Sequence, residues 1–166
     1  MIASEMLPTT VVGSYVQPDW LVDRKNLKDR LPPRIRAHEI WKIEEKFLKE
    51  AQNDATIVAI RDMERAGIDI VTDGEVRREN YVHYQCRQFE GFDFENLTRR
   101  TFRNGALTSE LPTIRGPVRR QGECALIRDW QIAEQAADRA VKITLPGPMT
   151  ISDTTADAFY EDPPRL

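Results

Sequence analysis

The feature that most constrains this chain is a long amphipathic stretch from about Arg36 to Ala66, followed at once by Gly67 and a short β-branched run. Within it Ile40, Ile43, Phe47, Leu48, Ala51, Ala55, Val58, Ala59 and Met63 recur at intervals of three or four, separated by Lys, Glu, Arg and Asp. That period puts apolar side chains on one face of an α-helix and charges on the other. A break near Asn53-Asp54 is compatible with the pattern. Gly67 suits the left-handed residue that closes a helix C-terminus. The run from Ile68 through Val71 to Glu75 then reads as a strand. Long helix, glycine cap and short strand make the αβ half of a βαβ unit, which needs a parallel partner strand.

Partners for it are present on both sides. Thr9-Thr10-Val11-Val12-Gly13-Ser14 reads as a strand that enters a loop at Gly13. Pro32-Pro33 interrupts any helix between them. Residues 76–105 lack a clean period and read as a short helix and then a hairpin. Leu111 to Val118 is a candidate third strand. Leu126 to Ala140 is a helix with Leu126, Trp130, Ala133, Ala137 and Ala140 on one side. Val141 to Leu145 is a fourth strand, broken by Pro146-Gly147-Pro148, and the tail from Ala158 reads as the start of a helix or loop. This alternation favours an α/β fold with parallel strands, in one domain over residues 1–166. Four strands are too few for a closed eight-stranded barrel, which takes about 250 residues.

Charge and composition narrow the class. Net charge is −3, from 24 basic and 27 acidic side chains, without the basic excess of a nucleic-acid binder. No apolar run approaches the roughly 20 residues that span a bilayer. The N-terminal residues lack the pattern of a signal peptide, so a cytoplasmic protein with no membrane partner is expected. Cys86 and Cys124 form no CxxC pair and have no histidine at ligand spacing, so they read as ordinary thiols. His38 falls on the first helix beside Glu39, where it would face solvent. His83, between Tyr81 and Tyr84, is expected to be structural before it is a site residue.

Three strand ends place small or polar residues where a strand gives way to a loop: Gly13-Ser14, Gly74-Glu75 and Gly147-Pro148-Met149-Thr150. Ligands of parallel α/β proteins collect at the carboxyl ends of strands. Backbone N–H groups of a glycine turn can hold a carboxylate, and a neighbouring side-chain carboxylate can hold an ammonium. Ser14 and Glu75 would together clamp an amino acid. The blander readings, a plain turn at Gly13-Ser14 and a solvated Glu75, have the higher prior on composition alone. No glycine-rich phosphate-binding motif occurs.

Taken together, LPTTVVGSY, AGIDIVTDGEVRRENY and KITLPGPMTISD resemble, in order and spacing, signatures of the catalytic barrel of cobalamin-independent methionine synthases. The compact single-barrel members look nearer than the two-barrel ones. The resemblance covers residues 7–166 and implies a TIM-type (β/α)8 barrel of which this chain carries about the first four strands. It implies methyl transfer to the thiol of homocysteine from a methyl-tetrahydropteroyltriglutamate donor, with zinc binding the sulfur as thiolate. It also implies that Val12, Gly13, Ser14 and Glu75 hold the homocysteine amino-acid moiety. No catalytic or metal-ligating residue is assigned to this chain, because nothing in it matches the family's His-x-Cys, Glu and Cys zinc ligands.

Two departures bear on the donor. Where folate-using members carry tryptophan after the GP[MV]TI segment, this chain has Thr154, and the folate-contacting pair falls on Leu107 and Thr108. A folate and a methyl-corrinoid protein both stay open as donor. Two other readings stand beside the first: a related zinc thiol alkyltransferase acting on another thiol such as coenzyme M, and a non-catalytic half-barrel acting by association. Exposed edge strands of a half-barrel would recruit a complementary half or a second copy.

Overall fold

The computed structural model describes residues 7–27 and 40–160. His38 and the start of the predicted first helix therefore lie outside the described residues. The elements are α1 (Glu45–Arg65), β1 (Ile70–Thr72), α2 (His83–Cys86), β2 (Phe89–Phe102), β3 (Leu107–Arg120), α3 (Ala125–Ala136), β4 (Ala140–Lys142), α4 (Pro148–Asp153) and β5 (Ala156–Asp157). They divide into two compact units, one of described residues 7–26, 40–78 and 124–144, the other chiefly of 79–123 and 145–160. Among the described residues no helix is long and apolar enough to cross a membrane.

The first unit is parallel α/β. β1 pairs with β4 in parallel register, Ile70 against Ala140 and Thr72 against Lys142, and Thr10 bridges Ile70 in parallel on the other side. The predicted first strand is thus reduced to one bridge, tied down by Asp69, whose carboxylate accepts from the Thr9 N–H at 2.8 Å and the Thr9 hydroxyl at 2.7 Å. α1 begins at Glu45, later than its apolar period implied, because Ile40 and Trp41 are used otherwise: Trp41 bridges Val22 and Ile40 is buried. It runs unbroken through Asn53-Asp54. Its buried face is Ala55, Thr56, Ala59, Ile60 and Met63, a stripe at spacings of one, three and four. Phe47 and Val58, expected on that face, are 51% and 48% exposed. Lys46 lies over the Phe47 ring instead, 4.8 Å from its centroid.

The predicted cap forms. Gly67 has φ +83°, its N–H reaches the Glu64 carbonyl at 3.0 Å, and the Ile68 N–H reaches the Met63 carbonyl at 3.1 Å. That is the paired bonding of a Schellman motif, which satisfies two carbonyls the helix leaves open and turns the chain into β1.

The second unit is built on an antiparallel hairpin. β2 and β3 pair from Phe102 opposite Leu107 to Phe89 opposite Arg120, with irregularities between Glu90 and Phe92 and between Asp93 and Thr98. The candidate strand at Leu111–Val118 is therefore a hairpin arm in a separate three-stranded sheet, ordered β2-β3-β5, and no parallel strand of the first sheet. The reason is the turn: Asn104 and Gly105 both have positive φ, 54° and 94°, the backbone that reverses a chain tightly between twisted strands. β5 adds in parallel to β3, Thr113 against Ala156.

Candidate functional site at the carboxyl end of the parallel strands

The site is built on the turn after β1. Asp73 to Glu75 leaves the strand through two successive left-handed residues, Gly74 at φ 64° and Glu75 at φ 54°. A side chain at position 74 would meet Tyr15 Cβ at 3.0 Å and Ala59 Cβ at 3.1 Å, so the close approach requires glycine there. Glu75 has no such freedom, and a left-handed glutamate costs on the order of 1–2 kcal/mol. The surroundings hold it. Its N–H donates to Asp73 Oδ1 at 3.1 Å, its carbonyl accepts from the Arg78 N–H at 3.0 Å, and the side chain is only 5% exposed. Such strain persists only where the surrounding structure over-determines the backbone.

Both carboxylate oxygens of Glu75 are engaged. Ser14 Oγ donates to Oε2 at 2.5 Å and Thr144 Oγ1 donates to Oε1 at 2.8 Å. Behind them lies Arg78, buried like Glu75. Its Nη2 donates to Asp73 Oδ2 at 3.0 Å, its Nη1 donates to the Thr144 carbonyl at 2.9 Å, and Nη1 stands 3.8 Å from Glu75 Oε1. Burial pushes the Asp73 carboxyl above its ordinary range, while the Arg78 charge, the Glu75 N–H and the Arg78 hydrogen bond pull it back. Asp73 accepts a hydrogen bond on each oxygen, the bonding of an ionised carboxylate. Asp129 also acts on Asp73 and is paired in turn with Arg77 at 3.7 Å and Arg128 at 3.2 Å, so the carboxylates here are interleaved with guanidinium groups. A buried carboxylate is costly unless partners satisfy it.

The predicted site residues fall as follows. Ser14 and Glu75 come together through a direct hydrogen bond, on one end of the parallel strands. Gly13 precedes them with φ +87° and open space where a side chain would be. The Tyr15 N–H donates to the Gly74 carbonyl at 2.9 Å, which ties this loop to the strand end. Val12 is 86% exposed. The third strand end divides. Thr144 reaches Glu75, while Pro146 to Thr150 belongs to the second unit. Asp73, Arg78 and Thr144 were missed in the sequence, where Asp73-Gly74 reads as a turn pair and nothing singles out Arg78 or Thr144.

In the second unit, His83 is 2% exposed. Its Nε2 lies 3.3 Å from the Thr154 carbonyl, its ring stands edge-on to Phe94 at 6.0 Å, and Nδ1 has no partner among the described residues. Burial lowers its pKa to about 4, with the Arg87 charge adding to the fall. The Cys86 thiol is buried and pushed up to about 12 by desolvation, the opposite of what a nucleophile or metal ligand needs. Among the described residues no three His, Cys, Asp or Glu side chains group as metal ligands do, so these residues do not fit a zinc site. Of the donor-related positions, Thr154 directs its hydroxyl to the Thr150 carbonyl at 2.7 Å, and Thr108 faces the Thr101 hydroxyl at 3.3 Å.

Comparison with known proteins identifies the family. The family profile described as "Cobalamin-independent synthase, Catalytic domain" matches residues 7–165. Methionine synthase of Sulfolobus acidocaldarius is 32% identical over 157 residues, 94% of this chain and 42% of that protein. Methionine synthase of Saccharolobus solfataricus is 32% identical over 158 residues, 95% of this chain and 43% of that protein. Among solved structures, a B12-independent methionine synthase from a Shewanella species, in complex with selenomethionine, superposes with a TM-score of 0.78 at 30% identity, covering 94% of this chain and 42% of that one. A Listeria monocytogenes protein at 18% identity and TM-score 0.55 shares the fold. The chain thus spans about two-fifths of the length of these relatives. It belongs to the family of cobalamin-independent methionine synthases, matching the catalytic domain over nearly all of its own length.

Proposed function

We propose that this chain supplies the amino-acid-binding half of a methyltransferase that converts homocysteine to methionine. The observation that carries the reading is the buried carboxylate of Glu75, held at both oxygens by Ser14 and Thr144 at the end of the parallel strands. A substrate ammonium would pair with that carboxylate, and each Glu75 oxygen keeps a lone pair for it. The substrate carboxylate would lie on the N–H groups of the Gly13-Ser14 turn, beside Val12. In this arrangement the amino acid is fixed at one end and its thiol projects away from the cluster. The Shewanella relative binds selenomethionine, an amino acid of the product's shape, which supports an amino-acid site.

The architecture we assign is the N-terminal half of a TIM-type barrel, residues 1–166, in a cytoplasmic enzyme. The parallel run from Thr10 through β1 to β4 supports it. A complementary half-barrel or a second copy would cover the open sheet edges. Zinc in a complete family member supplies a thiolate at neutral pH by lowering the thiol pKa. The described residues of this chain offer no ligand set for it, and no step here runs through it. Thr154, Leu107 and Thr108 keep both a folate and a methyl-corrinoid as donor classes. A sulfonate thiol has no ammonium to meet the Glu75 carboxylate, so this site favours homocysteine over such thiols.

Calorimetric titration of the chain with homocysteine and with γ-mercaptobutanoate, the same thiol acid without the amino group, tests the assignment. Glu75→Gln keeps the shape and removes the charge. Losing a charge-assisted bond of about 1.5–3 kcal/mol lowers homocysteine affinity roughly tenfold to a hundredfold. The mercaptobutanoate affinity should change by less than about threefold. Equal losses on both thiols would refute the ammonium role.

A further inference from the structure

Arg78 stands one shell behind the proposed substrate contacts, and its hydrogen bonds reach Glu75 by two routes. The first runs through the side chain. Arg78 Nη1 donates to Thr144 Oγ1 at 3.2 Å, while Thr144 Oγ1 lies 2.8 Å from Glu75 Oε1. A hydroxyl has one proton to give. A carboxylate only accepts, so the Thr144 hydroxyl gives that proton to Glu75 while its oxygen receives the Arg78 N–H. Arg78 thereby anchors the hydroxyl that holds Glu75, and its bond to the Thr144 carbonyl at 2.9 Å fixes the position of the residue that makes it. The second route runs through the backbone. Arg78 Nη2 holds Asp73 Oδ2 at 3.0 Å, and the other Asp73 oxygen accepts the Glu75 N–H at 3.1 Å. That bond braces the left-handed backbone at Glu75, φ 54°.

We infer that Arg78 is a positioning residue that aims the Glu75 carboxylate, acting through Thr144 on its side chain and through Asp73 on its backbone. The inference rests on the ammonium-binding reading of Glu75 for its functional consequence, but the aiming itself is a property of the chain without ligand. The geometry calls for arginine. The fork places one nitrogen on Asp73 and another on Thr144, while a lysine offers a single nitrogen that cannot occupy both places. Arg78 also places its cation beside both carboxylates, 3.0 Å from Asp73 and 3.8 Å from Glu75.

Two measurements on the full chain separate this inference from the reading beneath it. The first is a crystal structure of ligand-free Arg78→Lys and Arg78→Met. The inference predicts that the Thr144–Glu75 bond is broken in both and that Glu75 adopts another rotamer or leaves the left-handed region. Arg78→Met strips the cation from two buried carboxylates and can fail to fold. Arg78→Lys keeps the charge and therefore decides the matter. A Glu75 carboxylate unmoved in Arg78→Lys, with Thr144 still bonded to it, overturns the inference.

The second is the ratio of homocysteine to γ-mercaptobutanoate affinity. Arg78→Lys should lower that ratio roughly tenfold, against at most a twofold change in the mercaptobutanoate affinity itself. A purely structural role would lower both affinities together and leave the ratio intact, which also overturns the inference. If Glu75→Gln leaves the ratio unchanged, the ammonium reading fails, while the crystal structures still judge whether Arg78 aims Glu75.

Discussion

The two units of this chain bury Glu75 and His83, two titratable side chains, in different ways. In the first, dry charged side chains are matched to one another. Arg78 is shared among Asp73, Glu75 and Thr144, and Arg77 lies 3.7 Å from Asp129 with both side chains almost fully buried. In the second, His83 is buried as a neutral ring beside Phe94, with a carbonyl on one nitrogen and no partner among the described residues on the other. The first unit meets its buried charges with opposite charges, and the second does the same at Glu79, whose buried carboxylate pairs with Arg87 at 2.7 Å. His83 is instead held neutral by burial. It is the group that a fall in pH should disturb.

Removing one member of a matched pair should give the largest effect. Asp129→Ala leaves the Arg77 guanidinium buried without its carboxylate, and breaking a buried pair in this way costs about 3–5 kcal/mol. Urea unfolding followed by circular dichroism should show the unfolding free energy falling by that amount. A loss below about 1 kcal/mol, the range of a surface pair, would mean the charge cluster of the first unit is not matched as described.

His83 sharpens the contrast from the other side. Its pKa in the folded chain is about 4, below the ordinary value of 6.5. Below pH 6.5 the unfolded chain binds the proton more readily than the folded one, so stability is fully present above pH 6.5 and is lost as pH falls toward 4. A shift of this size corresponds to at most about 3 kcal/mol. Unfolding measured from pH 7.5 down to pH 4 should show the decline, and His83→Gln should remove the part that follows this window. An unchanged pH profile in His83→Gln would show that the ring is not held neutral by its burial.

Much of the first unit could be read in the sequence because its signals are local. The apolar period of α1, the Gly67 cap and the β-branched run of β1 are each decided by near neighbours, and each forms. Phe47 and Val58 fell on the wrong face because several overlapping stripes satisfy a period of three or four, and only packing selects the one at Ala55, Ala59 and Met63. The second unit was harder. Asn104-Gly105 is a strong hairpin signal, but it sits among Arg and Thr without the alternation that normally flags its strands. Leu111 to Val118 was therefore placed in the wrong sheet.

For the site, Ser14 and Glu75 were legible as strand-end residues, and the resemblance pointed to the same positions. Arg78, Asp73 and Thr144 were not. A charged residue in a sequence looks solvated by default, and only the fold shows that the arginine at position 78 is dry and shared. Thr144 acts on Glu75 across 69 residues of chain, a separation that no local pattern encodes.

The central claim is that the Glu75 carboxylate receives a substrate ammonium, and a crystal structure of the chain with bound homocysteine tests it most directly. The account predicts the amino nitrogen within roughly 2.7–2.9 Å of a Glu75 oxygen, the distance of a charge-assisted bond. Ser14 and Thr144 should still be bonded to the carboxylate, and the thiol should point away from the cluster. Homocysteine bound with its amino group turned from Glu75, or seated elsewhere on the chain, would contradict it.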